Sequence, residues 1–323
     1  MKSERRLNDS GPFVQDVLKG LSGPEKFIPS KYLYDEHGDR IFRQIMAMPE
    51  YYLTGCEYEV LEDFKSEIVD VIDPGKQCFD IIEMGAGDGF KTRILLRHLL
   101  ERGCDVQYMP IDISTKGLEE LKESLNRELP TLKVEGIAMD YFNALHHIKD
   151  FSCRKKVFLF LGSNMGNFSH DQSLDFLKLI AAGCEKGDKF LVGLDLKKDP
   201  KIVLAAYNDI AGITRRFNLN LLDRMNRELG ANFIPDQFMH SPLYDPGKGR
   251  AISYLVSLED QVVDIPACNM EVHLKKWETI QTEISQKYDM DMIYELAGNS
   301  GFRVCRDFFD SNRYFVNSIW EKR

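Results

Sequence analysis

The sequence predicts an α/β fold built on a doubly wound parallel sheet, and three observations support this prediction. Apolar segments of strand length alternate with amphipathic helical segments between residues 78 and 195. A turn with three alternating glycines follows the first predicted strand, and acidic residues or glycines follow the later ones. Because strand–helix–strand units connect parallel strands with a right-handed crossover, this alternation favours one sheet with helices on both faces.

Composition limits the classes of function that the chain can have. The 323 residues, 43% of them apolar, suffice for one large domain or two coupled domains. The net charge of −9 argues against a nucleic-acid partner, because no basic stripe can neutralise phosphates. No apolar run predicts a membrane span, and the charged start does not resemble a signal peptide. The seven cysteines are scattered singly, which indicates a reduced, cytoplasmic protein without a metal centre.

The first 70 residues predict helices that carry many aromatic side chains. Residues 1–30 predict one amphipathic helix, with a break at Gly23-Pro24. A helix over 41–46 is expected to begin at Gly38 or Asp39, and another is expected over 58–71. Aromatic residues in such segments usually pack in a core, although tyrosines can also wall a polar pocket. The aromatic residues in question are Tyr32, Tyr34, Phe42, Tyr51, Tyr52 and Tyr58.

The segment IIEMGAGDGFKTR, residues 81–93, predicts a strand, a tight turn and the start of a helix. Alternating glycines from Gly85 to Gly89 let the backbone turn sharply and let a ligand approach main-chain N–H groups. The dinucleotide fingerprint needs a glycine where this chain has Phe90. Glu83 would repel phosphates and suits a cationic ligand, a description that S-adenosylmethionine meets through its sulfonium and α-amino groups. The alternative is that the glycines only form a tight turn.

Further strands are expected over 106–113, 132–139, 156–162 and 188–195. Asp112 follows Gly85 by 27 residues, in the range where an acid on the next strand reaches a ribose diol. Asp140 and Tyr141 can hydrogen-bond an adenine amino group and stack on its ring. A capping box is expected where the next helix begins, at Ser169. Because ligands bind at the carboxyl ends of parallel strands, these strand ends should share one site.

Residues 197–287 interrupt the alternation with helical and antiparallel patterns. Helices are expected over 202–210 and 219–229, and strands over 251–258, 270–277 and 279–288. With the N-terminal segment, this insertion is expected to form a second domain over the carboxyl edge of the sheet. The chain then returns to the first domain with a helix over 290–297 and a closing hairpin over 302–309 and 314–320. The predicted domains are 9–55 with 197–287, and 56–196 with 288–323.

Six motifs occur in an order and spacing that resemble the histidine-specific N-methyltransferases, namely MPEYY, EMGAGDGFKTR, MPIDIS, LGSNMGN, AYND and TEISQKY. The resemblance covers the chain from about residue 20 to its end. It implies a Rossmann-like methyltransferase domain and a substrate-binding domain. It also implies an S-adenosylmethionine-dependent enzyme that trimethylates the α-amino group of L-histidine to hercynine, the first step of ergothioneine biosynthesis. The implied partners are L-histidine and its mono- and dimethyl forms, and a monomer is expected.

The resemblance also implies roles for individual residues. The cofactor contacts that it implies are Gly85, Lys91, Asp112, Asp140 and Tyr141. Glu83 and Gly87 are added to them from the argument on the glycine-rich segment above. Tyr34 and the backbone carbonyl of Gly162 resemble the positions near the reacting amine and are the expected catalytic groups. The expected substrate-binding residues are Phe42, Tyr51, Asn167, Tyr207, Ser253, Glu283 and Ser285. Among these, Asn167 and Tyr207 correspond to positions that hold the substrate carboxylate.

The residues themselves support part of this assignment. Glu283 and Ser285 alternate on a predicted strand, so both point to one face and could pair with the two nitrogens of an imidazole. The alternative is that both are solvated strand positions. The chain departs from the family pattern at Asn164, where Thr is frequent, and at Ser253, where Met is expected. Three other functions stay open: the same reaction on another amino acid such as tryptophan, a non-catalytic cofactor-binding protein, and a macromolecule methyltransferase.

Overall fold

The computed structural model describes residues 11–73, 78–151 and 154–323, with only the backbone described over 147–151. The described residues form 11 α-helices, numbered in chain order: α1 Pro12–Leu21, α2 Glu36–Met46, α3 Tyr52–Asp63, α4 Lys65–Ile72, α5 Thr92–Glu101, α6 Thr115–Glu128, α7 Tyr141–Phe151, α8 His170–Gly183, α9 Pro200–Tyr207, α10 Ile213–Leu229 and α11 Met290–Asn299. They also form 14 strands: β1 Lys26–Phe27, β2 Phe79–Met84, β3 Val106–Asp112, β4 Lys133–Val134, β5 Ile137–Ala138, β6 Lys155–Phe160, β7 Lys189–Asp195, β8 Phe238–Asp245, β9 Arg250–Ser257, β10 Gln261–Ile265, β11 Met270–Leu274, β12 Thr279–Gln286, β13 Phe302–Phe309 and β14 Phe315–Lys322.

The chain divides into two compact units. The smaller unit comprises the chain up to Tyr52 together with Lys198–Ser285, and the larger unit comprises Leu53–Lys197 and Gln286–Arg323. The domain boundaries expected from the sequence, after residues 55, 196 and 287, each lie within three residues of this division.

The larger unit is built on an eight-stranded sheet of described residues. Its strands lie in the order β13-β14-β7-β6-β2-β3-β4, with β5 also paired to β3. The strands from β7 to β4 are parallel, and β14 and β13 continue the sheet antiparallel to β7. The chain extends the sheet from β2 towards β4 first and from β6 towards β7 later, so the topological switch point lies between β2 and β6. The predicted doubly wound sheet and the closing hairpin are therefore confirmed.

Alternating side chains of the central strands fill two apolar clusters of described residues, one on each face. Ile82, Phe158 and Phe160 belong to the cluster that helix α8 covers, whereas Ile81 and Leu159 belong to the cluster that helix α5 covers. All six residues of β2 are buried, which is expected when helices pack on both faces of a parallel strand. Burying an aromatic side chain of this kind stabilises a fold by about 1.5–3 kcal/mol. The core thereby fixes the positions of the loops at the carboxyl ends of the strands.

Two predictions for the larger unit are wrong. The expected strand over 132–139 is interrupted at Glu135 and Gly136, and the short strands β4 and β5 pair separately with β3. The bond from the Glu135 N–H to the carbonyl of Tyr108 at 2.9 Å ends the pairing of β4, and pairing with β3 resumes at Ile137 opposite Ile111. The expected helix over 58–71 is instead the pair α3 and α4, which meet at Phe64.

The smaller unit contains a four-stranded sheet of described residues in the order β1-β12-β9-β8 and a separate hairpin, β10–β11. The predicted single helix over 1–30 is wrong. Helix α1 begins at Pro12 and ends at Leu21, and strand β1 follows it. Residues 1–10 lie outside the described residues. Helix α2 begins earlier than predicted, because the Asp35 carboxylate accepts the Gly38 N–H at 2.7 Å. Strands β8 and β10 were not predicted. No helix in the described ranges is long and apolar enough to span a membrane.

Candidate functional site

The glycine-rich loop that follows β2 forms a cradle lined by backbone. Gly85, Gly87 and Gly89 have positive φ angles of 72°, 55° and 66°, which favour glycine. A Cβ atom on Gly85 would lie 2.4 Å from the hydroxyl of Tyr141, so a side chain is excluded there. A Cβ atom on Gly87 would meet no heavy atom of the described residues within 4 Å. The loop therefore leaves open space beside Gly87, which fits a ligand held against main-chain N–H groups.

The Glu83 side chain lies at the base of this loop and forms hydrogen bonds within the larger unit. Its residue is only 3% exposed, and its carboxylate accepts hydrogen bonds from Thr92 Oγ1 at 2.6 Å and from the hydroxyl of Tyr108. Burial raises the pKa of the Glu83 carboxyl to about 7, and the two hydrogen bonds oppose that shift only in part. The carboxyl group thus joins β2 to β3 and to the start of α5.

The carboxyl ends of β3 and β5 carry the other predicted cofactor residues. Asp112 is partly exposed, and one of its oxygens accepts the Ser114 N–H at 3.0 Å. Asp140 is exposed, caps α7 through the N–H groups of Phe142 and Asn143 at 3.1 Å, and accepts a bond from the Asn143 side chain. Both aspartates therefore have carboxylates that local backbone bonds hold in a defined orientation.

Tyr141 follows Asp140 and packs into the larger unit. Its ring lies edge-on to Phe160 with the ring centroids 5.9 Å apart, and burial raises the pKa of its hydroxyl well above the ordinary value. Two exposed apolar side chains beside these aspartates were not predicted from the sequence. Ile113 is 69% exposed directly after Asp112, and Phe142 is 42% exposed. The sequence shows only that these residues follow the two aspartates closely. It does not show that they are exposed, because the exposure of an apolar side chain is a property of the fold.

A buried carboxylate that was not predicted, Glu57 on α3, bonds two of the predicted residues. It forms an ion pair with the ammonium of Lys91, and its two oxygens accept the Gly162 N–H at 2.8 and 3.1 Å. Glu57 is fully buried, whereas the Lys91 side chain is 19% exposed. The lysine after the glycine-rich loop and the glycine after β6 are therefore attached to the same carboxylate.

The turn after β6 has a constrained backbone. Gly162 and Ser163 both have positive φ angles, 78° and 58°, and the second value is unusual for a residue other than glycine. The Asp195 N–H donates to Ser163 Oγ at 3.1 Å, and Asn164 Nδ2 donates to the carbonyl of Leu161 at 2.9 Å. These bonds, with the Glu57 bond to the Gly162 N–H, hold the Leu161–Gly162 peptide group and the Ser163 side chain on the two sides of the Gly162 carbonyl. The following 3-10 turn, Asn164–Asn167, holds Asn167 partly buried at its end.

Asp195 was expected to face a ligand with the other strand ends. In the structure its carboxylate pairs with Lys287 at 2.8 Å, and both side chains are fully buried. The neighbouring Tyr288 donates its hydroxyl to the carbonyl of Met165 at 3.2 Å. The end of β7 therefore supports the turn at 162–167, and the Asp195 carboxylate is paired within the fold.

In the smaller unit, an aromatic cluster contains the predicted catalytic residue Tyr34 and three of the predicted substrate-binding residues. Tyr34 lies 5.2 Å from Phe42, and Phe42 lies 6.1 Å from Tyr51, measured between ring centroids in edge-to-face pairs. Phe217 on α10 packs against both Tyr34 and Phe42. Tyr51 also packs against the apolar group at the end of α9 that contains Tyr207. The sequence motifs around these tyrosines are far apart, and the fold of this unit brings them together.

Strand β12 carries the predicted imidazole-binding residues. Glu283 is partly exposed and Ser285 is 4% exposed, and their alternate positions place them on one face of the strand. Ser253 on the adjacent strand β9 is fully buried and donates its hydroxyl to Glu283 Oε2 at 3.4 Å. Thr282, on the other face, bonds the side chain of Asn218 at 2.5 Å. The position where the family pattern has Met thus carries a hydroxyl that contacts the Glu283 carboxylate.

The described residues contain no cluster of three or more His, Cys, Asp or Glu side chains that could hold a metal ion. The larger unit brings together the predicted cofactor residues with Gly162 and Asn167. The smaller unit brings together Tyr34, Phe42, Tyr51 and Tyr207, and it pairs Ser253 with Glu283. A parallel sheet with an antiparallel final hairpin, a glycine-rich loop at the switch point and an acid at the end of the next strand define a nucleotide-fold methyltransferase.

The comparisons with known proteins identify the family. The chain belongs to the histidine-specific, S-adenosylmethionine-dependent methyltransferases, whose family model matches residues 13–322. It is 32% identical to the histidine N-alpha-methyltransferase of Mycobacterium tuberculosis over 308 residues, which cover 95% of this chain and 94% of that protein. Identity to the histidine N-alpha-methyltransferase of Mycolicibacterium smegmatis is 30% over 289 residues, covering 90% and 88% of the two chains. Ergothioneine biosynthesis protein 1 of Neurospora crassa is 29% identical over 318 residues, covering 96% of this chain and 35% of that protein. The predicted family and cofactor are confirmed.

Proposed function

We propose that the protein transfers three methyl groups in succession to the α-amino group of L-histidine, which yields hercynine for ergothioneine biosynthesis. The carboxylate and hydroxyl of Glu283 and Ser285 on one face of β12 carry this proposal, because two such groups suit the two imidazole nitrogens. The full-length similarity to relatives named histidine N-alpha-methyltransferase supports it.

The residues at the carboxyl edge of the larger sheet would hold S-adenosylmethionine. The main-chain N–H of Gly87 would contact its amino-acid portion, beside Gly85, whose own N–H donates to the Ile111 carbonyl at 3.0 Å, and the Lys91 ammonium would bind its carboxylate. Asp112 would bind the ribose, while Asp140 and Tyr141 would contact the adenine. Glu83 would act through the loop that it braces, since both of its oxygens already accept hydrogen bonds. When bound, the cofactor supplies a methyl group that the sulfonium charge already activates for displacement.

The predicted substrate-binding residues would each recognise part of the amino acid. In the smaller unit, Glu283 and Ser285 would bind the imidazole, with the Ser253 hydroxyl orienting the carboxylate of Glu283. Asn167 and Tyr207 would bind the substrate carboxylate, and Tyr51 and Phe42 would contact the substrate. An amino acid without the second ring nitrogen would leave buried polar groups unpaired, which is the strongest basis for discrimination that a pocket can offer.

The chain's task in the chemical step is to position the amine. The α-amine must be neutral, and the Tyr34 hydroxyl and the Gly162 carbonyl can accept its hydrogen bonds and aim its lone pair. The Gly162 carbonyl suits this role because hydrogen bonds hold the chain on both sides of it, at the Gly162 N–H and at the Ser163 side chain. Each methyl transfer adds bulk and gives an ammonium group; the first two products release a proton to solvent before the next transfer, and the third stays a permanent cation. Tyrosine faces stabilise such a cation by roughly 0.5–1 kcal/mol each.

The test of this proposal is the Glu283→Ala variant, with Glu271→Ala on strand β11 as a matched control. Glu271 is an exposed strand carboxylate of the same unit, so its loss should leave activity unchanged. Losing a hydrogen bond to a charged group costs about 1.5–3 kcal/mol, so kcat/KM for histidine should fall roughly 10- to 100-fold in Glu283→Ala. Unchanged kcat/KM would show that Glu283 does not recognise the imidazole.

A second candidate substrate is a bulkier aromatic amino acid such as tryptophan. The small side chain of Ser253 favours it, since the family pattern has the larger Met at this position. The polar contact between Ser253 and Glu283 favours histidine instead. A competition assay with equal concentrations of both amino acids decides between them, because the preferred substrate is methylated first.

We further propose that the enzyme acts as a monomer in the cytoplasm. The singly scattered cysteines support the reduced compartment, since paired cysteines are typical of oxidising compartments. Light scattering after gel filtration should give a mass near 37.3 kDa; a mass of twice that value would contradict the monomer. Fractionation of the source cells, followed by detection of the protein, tests its location.

A further inference from the structure

The carboxylate of Glu57 lies at a junction of several elements in the larger unit. In the part of the chain that the structure describes, three hydrogen-bond donors meet it: the Lys91 ammonium, the Gly162 N–H and the side-chain amide of Asn317 at 3.2 Å. All three are donors, so the group between them must be an acceptor with negative charge. Lys91 follows the glycine-rich loop, Gly162 follows β6, and Asn317 lies on β14.

The sheet makes room for this carboxylate. A Cβ atom on Gly193, in the middle of β7, would lie 2.0 Å from Glu57 Oε1. Gly193 has no positive φ angle, so the turn geometry does not require a glycine there. The close approach of the carboxylate does require one. Glu57 is therefore seated against the central sheet and is not a charge that happens to be covered by a helix.

A second contact joins the same two segments on the outside. Tyr58, the next residue on α3, stacks on Phe90, the residue before Lys91, with centroids 5.1 Å apart and an angle of 19° between the rings. Both rings are partly exposed, at 37% and 51%. Adjacent residues of α3 thus hold adjacent residues of the loop, through a buried ion pair inside and an aromatic stack outside.

We propose that Glu57 is a positioning residue that fixes the Lys91 ammonium relative to the Gly162 N–H, and through that N–H fixes the backbone that bears the Gly162 carbonyl. The inference rests on the proposed function, in which Lys91 binds the amino-acid end of the methyl donor and the Gly162 carbonyl aims the amine. The only anionic group of S-adenosylmethionine is its carboxylate, and the Lys91 ammonium, whose side chain is 19% exposed, is a cation that can pair with it. The Glu57 carboxylate would thus link the position of the donor to the direction of attack.

This proposal predicts a selective effect on ligand binding. S-adenosylhomocysteine carries the amino-acid end, whereas 5′-methylthioadenosine has the same adenosine and a thioether without that end. If Glu57 positions Lys91, a change at residue 57 should weaken binding of the first ligand and leave the second unchanged. A general loss of structure would weaken both.

The test uses Glu57→Gln with Asp188→Asn as a matched control. Glu57→Gln keeps the shape, but its amide nitrogen must face one of the three donors. Asp188 is also a buried carboxylate, 1% exposed, and it accepts two backbone N–H groups at 3.1 and 2.8 Å. It precedes β7 at the amino edge of the sheet, so its loss perturbs the same sheet away from the ligand. Thermal melting of both variants reports the general loss of stability.

The expected result is an increase of about tenfold in the Kd of Glu57→Gln for S-adenosylhomocysteine, with the Kd for 5′-methylthioadenosine within about twofold of the wild type. At saturating donor, kcat for histidine should also fall while KM for histidine changes little, because the aim of the amine is disturbed and the imidazole contacts are not. Equal weakening of both ligands, weakening of neither, or the same selectivity in Asp188→Asn would overturn the proposal.

A second variant covers the case in which Glu57→Gln does not fold. Glu57→Asp keeps the charge and shortens the side chain by one methylene. The same selective loss of affinity for S-adenosylhomocysteine is therefore expected, with a smaller change in Kd. Wild-type affinity for S-adenosylhomocysteine together with wild-type kcat in Glu57→Asp would overturn the proposal. The ligand comparison needs no turnover, so a wild-type protein that fails to methylate histidine would refute the proposed function and not this role of Glu57.

Discussion

The open space beside Gly87 gives a direct way to test whether the glycine-rich loop is the ligand cradle. Gly87 and Gly103 have similar backbone strain for a side chain, with φ angles of 55° and 74°, and both are exposed. A Cβ atom at either position would meet nothing within 4 Å among the described residues. Gly103 lies at the end of α5, at the opposite edge of the sheet, so Gly103→Ala is the control for Gly87→Ala.

The two substitutions should cost similar stability. An L-residue in the left-handed region costs about 1–2 kcal/mol, and alanine recovers about 0.4–1 kcal/mol by restricting the unfolded chain. The net cost of roughly 1 kcal/mol should lower Tm by about 2–4 °C in both variants. Only Gly87→Ala places a methyl group in the ligand space. Overpacking of that kind costs about 1–3 kcal/mol, which corresponds to a Kd roughly 5- to 150-fold higher.

Calorimetric titration with S-adenosylhomocysteine measures this difference. Gly87→Ala should bind it at least about fivefold more weakly than Gly103→Ala, while differential scanning calorimetry gives equal Tm values. Equal affinities in the two variants would refute the assignment of the loop as the cradle.

Three further predictions concern charge and polarity at the site. Burial raises the folded-state pKa of Glu83 from 4.5 to about 7, so the unfolding free energy of the wild type should fall by up to roughly 3 kcal/mol between pH 4.5 and 7. Denaturant titrations at pH 5 and pH 8 should show a smaller fall in Glu83→Gln, and an equal fall in both proteins would contradict this pKa shift. Lys287→Met leaves Asp195 charged and buried, so the unfolding free energy should fall by about 3–5 kcal/mol, and adding Asp195→Leu should restore part of it; no recovery in a double-mutant cycle would count against the pair. Ser253→Ala removes only the long contact to Glu283, so kcat/KM for histidine should fall by about twofold, and a loss as large as that of Glu283→Ala would require a direct role for Ser253 in binding.

Features set by neighbouring residues could be predicted from the sequence. The glycine-rich turn, the capping box in which Ser169 and Gln172 bond each other's backbone groups, and the final hairpin each depend on a few adjacent residues. Glu283 and Ser285 share a face because two residues are one period of a strand. The doubly wound, parallel class of the sheet followed from the alternation of strands and helices, since parallel crossovers have one hand.

Features set by distant residues could not be predicted. Glu57 looks like an ordinary helix glutamate until Gly162 and Asn317, 105 and 260 residues further along the chain, donate to it. Asp195 and Asp112 both lie at the end of a strand and look alike in the sequence. Only the fold shows that Lys287 forms an ion pair with Asp195. The cap at Asp35 was not predicted, because Gly38 and Asp39 nearby fit the same capping pattern. The chain direction before α2 decides which of these residues caps the helix.

The central claim is that this chain methylates the α-amino group of histidine, and one measurement tests it most directly. The purified protein is incubated with S-adenosylmethionine and an equimolar pool of the free amino acids, and every methylated product is identified by mass and fragmentation. The account predicts that histidine alone is modified and that the end product carries three methyl groups on its α-nitrogen. Methylation of another amino acid with none on histidine, or methyl groups on the imidazole ring, would contradict it.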